Sequence, residues 1–335
     1  MFQLFRVPIL VTVVALVLTF VFGGLTAAIT VAILGVLEMS FSFDNAIVNA
    51  KILGRMNAHW QKLFLTVGIL IAVFGMRLIF PLIVVAIAAH INPFAALSMA
   101  VTSPTLYAEH IIGAHPAIAA FGGMFLLMLF LDWLLEEKEI LWLVPLENQL
   151  LKLGKIENMS VIVALVVLAI GAMTLGHPEM VLLSGVFGLV TYLLVNSIDS
   201  FFNEDKVTAM AKAGLATFLY LEVLDASFSF DGVVGAFAVT NNIFLIAVGL
   251  GIGAMYIRGL TVYLTNKGTL NEYRYLEHGA HWAIGVLAIM LFVTIKFDIS
   301  DIVIGLVGVG FIALAFANSV SENRRELWLG LEQEV

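Results

Sequence analysis

The chain has 335 residues, of which 61% are apolar and 12% charged, and its mean hydropathy is +1.06. Water-soluble domains are about 45–50% apolar and about 25% charged, so this composition excludes a soluble protein and predicts an all-α, polytopic membrane protein. The absence of cysteine excludes disulfides, thiolate catalysis and thiolate metal sites, and the formal charge of −8 argues against a nucleic-acid partner.

Ten apolar runs predict ten transmembrane helices, because one crossing of the bilayer needs about 20 apolar residues. They form a single transmembrane domain over residues 1–335. Gly23 and Gly24 separate the first two runs, and apolar sequence resumes at once, so the first run predicts a retained helix and not a cleaved signal peptide. The runs are 7–23, 26–50, 62–89, 117–135, 159–176, 180–198, 213–240, 243–265, 277–295 and 301–318.

The distribution of Lys and Arg predicts that both termini are cytoplasmic, because short cytoplasmic loops carry an excess of these residues. Residues 136–158 lie on the same side, and their sequence predicts an amphipathic interfacial helix with Trp142 near the lipid headgroups. This cytoplasmic linker belongs to a chain whose predicted repeat halves are residues 1–176 and 177–335. We expect the protein in the inner (plasma) membrane of a prokaryote. The residues assigned to the cytoplasmic side are Arg6, Lys51, Arg55, Lys62, Lys138, Lys152, Lys155, Lys206, Lys212, Lys267, Arg274, Arg324 and Arg325.

Two segments of the chain are nearly identical. EMSFSFDNAIVNA begins at Glu38 and DASFSFDGVVGAF begins at Asp225, and their shared SFSFD aligns Asp44 with Asp231. They fall in predicted helices two and seven, which run in opposite directions across the membrane. This pattern is typical of the inverted-topology repeats of secondary transporters, whose binding sites lie between the repeats near the bilayer midplane.

The repeated segments and one preceding turn concentrate acidic residues in otherwise apolar helices. On insertion scales, five such carboxylates would cost on the order of 15 kcal/mol at the bilayer centre. Protons, water, arginines or a bound cation can offset this cost. Only Arg77 and Arg258 lie within spans, so the acidic surplus favours a cation, with protons as competitors. The predicted metal ligands are Glu38, Asp44, Glu222, Asp225 and Asp231.

Residues six apart on a straight helix differ by about 120° in direction, so the acids of one motif do not face a single ion. Either the SFSFD stretches are locally unwound or the acids form a ladder along a path. Oxygen donors from Ser42, Ser229 and Asn45 support the carboxylates, and such a donor set suits hard divalent ions such as Mn, Ca or Mg.

Several other polar residues have two interpretations each. Arg77 is either a structural partner of one acid or a gating counter-charge. Asp132 lies near the inner end of the fourth predicted helix, where it is either solvated or a sixth ligand. We expect Arg258 to snorkel to the cytoplasmic face. His278 and His281, three residues apart, either bind a metal or are solvated near that interface, and we expect the second.

At these motifs the sequence resembles the TerC family of integral membrane proteins, which belongs to the LysE transporter superfamily and is named for an association with tellurium resistance. The resemblance covers roughly residues 30–320 and includes Glu38 with SFDN at 42–45, the three acids of the second motif, and TNNIF at 240–244. It implies manganese export through the acidic residues of both motifs. Gly232 and Val234 depart from the family pattern, and the sequence from Tyr256 is more similar to a divergent, uncharacterised branch.

Three classes of function compete at this point. The leading hypothesis is a secondary transporter that exports a divalent cation, most of all Mn²⁺, in exchange for protons; the chain has no phosphate-binding GxxxxGK[ST] motif. An intramembrane aspartyl protease is disfavoured because the chain lacks GxGD, so we expect no enzymatic activity and no cofactor other than the bound cation. The alternative is a non-transporting membrane scaffold in the response to metal or tellurium stress, with 136–158 as its docking segment.

Overall fold

Most of the residues that the computed structural model describes are helical, and no strand occurs among them. Some side chains within these ranges lie outside the description, including those of Asp44, Ser229 and Asp231 from the predicted site. The described ranges are 2–54, 56–138, 140–198, 206–237, 239–267, 273–297, 299 and 301–333.

Thirteen α-helices follow one another along the described chain. Two π-helical segments, Phe64–Gly68 and Ile71–Ile79, join α3 to α4. Residues Ala58–Ile87 therefore form one continuous apolar helical stretch. The helices are α1 Phe2–Phe41, α2 Phe43–Gly54, α3 Ala58–Leu63, α4 Phe80–Ala88, α5 Pro93–Thr102, α6 Pro104–Leu135, α7 Val144–Gly154, α8 Met159–Thr174, α9 Pro178–Ile198, α10 Lys206–Ala236, α11 Ile243–Lys267, α12 Leu276–Thr294 and α13 Asp301–Gln333.

In the described part of the chain, seven helical stretches are long and apolar enough to cross a membrane, and α7 with α8 makes an eighth if that bent pair is one span. The protein is therefore a multi-pass membrane protein, and the predicted count of ten spans is not confirmed. Predicted runs 7–23 and 26–50 fall into one 40-residue helix, α1, with a kink at Gly24, followed by α2. Gly24 has φ of 76°, a conformation that glycine adopts without steric cost.

Helix α6 is the most buried span, and it packs against α8, α9 and α12. Close approach depends on glycine: a Cβ on Gly188 of α9 would lie 2.3 Å from the carbonyl oxygen of Phe121 on α6. Small residues at helix crossings allow backbones to approach, which is how helices gain packing energy in lipid. Helix α1 lies along α11, and α11 also contacts α2 and the π-helical segment Ile71–Ile79. Polar residues described below lie on these elements.

The predicted interfacial helix over 136–158 is shorter in the structure. Residues before Val144 are not helical, and α7 begins there with a proline, Pro145, in its first turn, where the missing N–H costs nothing. Glu147 of α7 is fully buried and accepts hydrogen bonds from the backbone N–H of Trp142 and from Nε1 of Trp282. The linker is therefore anchored to α12 through the buried carboxylate of Glu147.

Candidate functional site

The two repeated motifs lie against each other in the interior of the bundle. Asn45 donates from Nδ2 to Oδ1 of Asp225 at 2.8 Å. A Cβ on Gly232 would lie 3.2 Å from Oε2 of Glu38. Because increasing residue number in the first motif corresponds to decreasing number in the second, these segments of α1–α2 and α10 run antiparallel, as an inverted repeat requires. The inverted repeat of the two halves as a whole stays a prediction.

The backbone of the motifs departs from a regular helix only at the first copy. Ser42 lies in a turn between α1 and α2, yet its N–H still bonds to the Glu38 carbonyl at 3.0 Å. The second copy is helical throughout its SFSFD stretch, within α10. Ser227 bonds to the Val223 carbonyl of its own helix, whereas Ser42 donates to Oε1 of Glu38 at 3.1 Å. The motifs are therefore not extensively unwound.

Arg77 and Glu38 form a buried ion pair, each no more than 2% exposed. Arg77 lies in the π-helical segment Ile71–Ile79, and its Nη1 also donates to the Ala72 carbonyl five residues earlier at 2.6 Å. π-Helical turns are rare and recur at functional sites. Here the segment directs the guanidinium of Arg77 towards Glu38 of the first motif. This contact favours the interpretation of Arg77 as a structural partner of one acid.

Arg258 of α11 binds both acids at the start of the second motif. Its Nη1 and Nη2 donate to the two oxygens of Glu222 at 2.9 Å each, and Nη2 also donates to Oδ2 of Asp225 at 3.0 Å. Nη1 reaches the Phe64 carbonyl at 3.1 Å, and the Phe64 ring lies 4.2 Å from the guanidinium carbon. The geometry confirms that Glu222 and Asp225, three residues apart, share one helical face.

The prediction that Arg258 snorkels to the cytoplasmic face is wrong, because its side chain is 2% exposed and bound to two buried carboxylates. A sequence signal existed: Arg77 and Arg258 each lie in the span that follows an acidic motif. Glu38 and Asp225, which align in the repeat, are each paired with the arginine of the span that follows their motif. Each motif therefore has its own buried counter-charge.

Two glycines make room for these ion pairs. A Cβ on Gly68 would lie 2.2 Å from Nη1 of Arg258 and 2.6 Å from Oε1 of Glu222. A Cβ on Gly253 of α11 would lie 2.4 Å from the Cβ of Glu38. All three distances are far below van der Waals contact, so a larger residue at either position displaces the charged groups. Neither glycine belongs to the repeated motifs, so the repeat does not indicate this role.

We name these residues the carboxylate cluster. Its described part contains three carboxylates and two guanidinium groups, with Ser42 and Asn45 as neutral partners. The side chains of Asp44, Asp231 and Ser229 lie outside the described part, although their backbones belong to α2 and α10. Among described residues, no three His, Asp or Glu side chains are grouped as a metal site. The described acids are Glu38, Glu222 and Asp225, and the described bases are Arg77 and Arg258.

Asp132 is placed elsewhere, in a cavity of about 1030 Å³ at the end of the bundle that carries Lys51 and Lys138. It accepts a hydrogen bond from the Tyr192 hydroxyl at 2.6 Å. Lys51 and Glu277 form an ion pair on the cavity wall, and Nε1 of Trp133 also donates to Glu277 at 3.3 Å. Helices α2, α6, α9, α10 and α12 all contribute lining residues. We call this space the inner cavity.

The predicted solvation of His278 and His281 is wrong, since both side chains are 5% exposed. His281 stacks on Trp133 with ring centroids 4.4 Å apart, and its Nδ1 lies 2.9 Å from the Glu277 carbonyl. Nε2 of His278 lies 2.9 Å from the Ile140 carbonyl. The packing of α12 on α6 buries both rings, and a sequence pattern alone does not specify that contact.

Lys138 lies in the loop after α6, outside the spans, with its Nζ 4.0 Å from the centre of the Trp133 ring. Its half-buried position lowers the pKa of the ammonium below the usual value of 10.5, and the carboxylates of Glu147 and Glu136 oppose that shift. Burial is the larger effect, because a charged ammonium loses hydration near the protein interior. This lysine therefore belongs to a partly desolvated rim of the inner cavity.

Residues 43–326 match the family described as "Protein of unknown function (DUF475)". No curated protein and no solved structure matches the chain. The matched region includes α2, α10, α11 and all the described residues of the carboxylate cluster except Glu38 and Ser42. Because the match covers most of the sequence, the chain belongs to the DUF475 family.

Proposed function

We propose that the protein is a secondary transporter that exports a divalent metal cation, with Mn²⁺ as the favoured substrate. One observation carries the proposal: two repeat-related acidic motifs meet in the buried interior, where Asn45 of one bonds to Asp225 of the other. Ionisable residues inside membrane spans are costly and mark ion pathways by default. A structural network alone needs no more acids than bases, whereas here the described acids outnumber the arginines.

The donor chemistry supports a hard cation. Carboxylates, the Ser42 hydroxyl and the Asn45 amide are all oxygen donors, which favour Mn²⁺, Ca²⁺ and Mg²⁺ over thiolate-preferring metals. Manganese and the outward direction come from the resemblance to TerC proteins. The tellurium association of that family names a phenotype and supplies no ligand chemistry. Asp44 and Asp231, which align in the repeat, would complete the acidic set.

The two arginines occupy the carboxylate oxygens that a bound cation would use. A divalent cation that reaches Glu222 and Asp225 competes with Arg258 for the same oxygens, since the guanidinium contacts both carboxylates. The same competition holds for Arg77 at Glu38. Carboxylates must lose any bound proton before they bind metal, so metal binding releases protons and exchange of cation for protons follows from the chemistry.

The test is Mn²⁺ flux into proteoliposomes containing the purified full-length chain. We expect flux for the unmodified protein and less than about a tenth of it for Asp44→Asn, Asp231→Asn or Asp225→Asn, because each removes charge that the cation requires. Glu179→Gln, which neutralises an exposed acid at the start of α9, is the matched control. Undiminished flux in the three variants would remove these residues from the mechanism, and no flux in the unmodified protein would refute the function.

The competing hypothesis is the non-transporting scaffold in metal or tellurium stress, with residues 136–158 as the docking segment. It predicts that cells expressing the three neutralised variants grow like the unmodified strain in high Mn²⁺. Deleting the exposed residues Glu136 and Glu137 would then abolish the stress phenotype instead. The transporter hypothesis predicts the opposite pattern, so one growth experiment separates the two.

A further inference from the structure

The inner cavity and the carboxylate cluster share two helices. On α2, Asn45 belongs to the cluster, and Val48 and Ile52 line the cavity one and two turns further on. On α10, Tyr220 lines the cavity five residues before Asp225. At 1.5 Å per residue, these offsets are about 5–10 Å along the helix axes. The cavity therefore ends close to the cluster, separated from it by little more than one helical turn.

Asn49 and Leu224 lie in that separating layer. Leu224 is fully buried and belongs to the same apolar cluster as Val48. Asn49 is 1% exposed, and its Oδ1 accepts no hydrogen bond from any described residue. A buried amide oxygen without a donor costs free energy, which an apolar residue of the same size would avoid. It lies one turn from Asn45 towards the cavity, so a buried amide oxygen lies between the two spaces.

The Lys51–Glu277 ion pair ties α2 to α12 beside this layer. Both side chains are about one-third exposed, at 33% and 29%, and both line the cavity. The only break between α2 and the long α1 is the turn at Ser42. Helix α2 is thus a twelve-residue segment with a break at one end and an ion pair near the other.

We propose that the inner cavity is the aqueous vestibule of the carboxylate cluster, and that the Lys51–Glu277 ion pair is the latch that holds α2 across the passage between them. The identity of the ion that passes rests on the proposed function, whereas the vestibule and the latch do not. Lys51 and Glu277 are then gating residues, because neither belongs to the cluster itself. Breaking the pair frees the end of α2 and gives water access to Asn49.

The chain contains no cysteine, so single cysteines report accessibility without background. The probes are Ile52→Cys in the vestibule and Asn49→Cys behind the latch, with Leu224→Cys as a second probe behind the latch should the Asn49 variant not yield folded protein. Ile170→Cys, on the exposed apolar surface of α8, is the control. The reagent is iodoacetamide, which is uncharged and therefore not attracted or repelled by altered charges, applied to detergent-purified full-length protein.

We expect Ile52→Cys to react faster than Ile170→Cys, and Asn49→Cys to react slowly. Adding Glu277→Gln should raise the labelling rate of Asn49→Cys about fivefold relative to that of Ile52→Cys. Loss of one partly exposed ion pair shifts the equilibrium between closed and open α2 by about this factor. The reversed pair Lys51→Glu with Glu277→Lys should return the ratio of the two rates to its original value.

If Ile52→Cys is as unreactive as the control, the vestibule proposal is refuted. If the ratio of rates is unchanged in Glu277→Gln, the latch proposal is refuted. Labelling needs no transport, so absent Mn²⁺ flux with the expected labelling refutes only the proposed function.

Discussion

Asn45 donates a hydrogen bond of 2.8 Å to Asp225, and this contact joins the two copies of the repeated motif. At the aligned position after the second SFSFD stretch, the chain has Gly232, which faces Glu38. One copy thus supplies an amide donor and the other supplies space for a carboxylate. The two near-identical segments consequently have complementary roles in the structure.

Replacing Asn45 with Asp should destabilise the protein more than replacing it with Ala. The Ala variant loses a hydrogen bond, which in membrane proteins is worth about 1 kcal/mol, whereas the Asp variant places a second carboxylate against Asp225. Millimolar Mn²⁺ should restore part of the lost melting temperature in the Asp variant, because a ligand that binds only the folded state stabilises it. Thermal unfolding in detergent measures both effects. Equal melting of the two variants would contradict the expected charge repulsion.

Arg258→Met should cost about 3–5 kcal/mol, because it leaves two buried carboxylates without a counter-charge. Arg258→Lys should also destabilise, since one ammonium cannot form the two parallel bonds to Glu222. The triple variant that adds Glu222→Gln and Asp225→Asn to Arg258→Met should recover folded protein, although without transport. The measurement is the monodisperse yield by size-exclusion chromatography, with Arg324→Met as an exposed control. No recovery in the triple variant would mean that Arg258 contributes mainly through packing.

Gly68→Ala should displace the Arg258–Glu222 ion pair, because the added Cβ would lie 2.2 Å from Nη1. Gly113→Ala in α6 is the matched control, since no atom lies within 4 Å of a Cβ placed there. We expect a melting temperature several degrees lower for the first variant and an unchanged or higher value for the second, as Ala favours helix over Gly. Equal melting temperatures would show that the helix containing Gly68 shifts without cost.

Lys138→Met should stabilise the protein at neutral pH. Burial lowers the pKa of Lys138 in the folded protein, so the unfolded chain binds this proton more tightly and protonation opposes folding. That penalty is fully present below the lowered pKa and disappears as the pH rises through the ordinary lysine value near 10.4. The melting-temperature gain should therefore shrink between pH 7 and pH 10.5, with exposed Lys152→Met as the control. A loss of stability at pH 7 would show that the contact of Lys138 with Trp133 outweighs its desolvation.

The antiparallel contact of the two motif helices could be expected from the sequence, because the SFSFD copies fall in predicted spans two and seven, which cross the membrane in opposite directions. The pairing of Glu222 with Asp225 on one face also followed from their spacing. Their shared partner, Arg258, could not be predicted in this way. It lies 33 residues from Asp225, and no local pattern indicates which helix its side chain faces. The burial of His278 and His281 was missed for the same reason.

The sequence by itself determined that this protein lies in a membrane and that its acids are concentrated in two related helices. Composition and repetition are properties of the chain, and the bilayer imposes helical structure on any long apolar segment. Only the tertiary structure decided that Arg77 and Arg258 pair with three of those acids, that Asp132 belongs to a separate cavity, and that Lys51 meets Glu277. These contacts depend on how helices far apart in the chain pack, and close packing at residues such as Gly68 and Gly253 selects one arrangement among many.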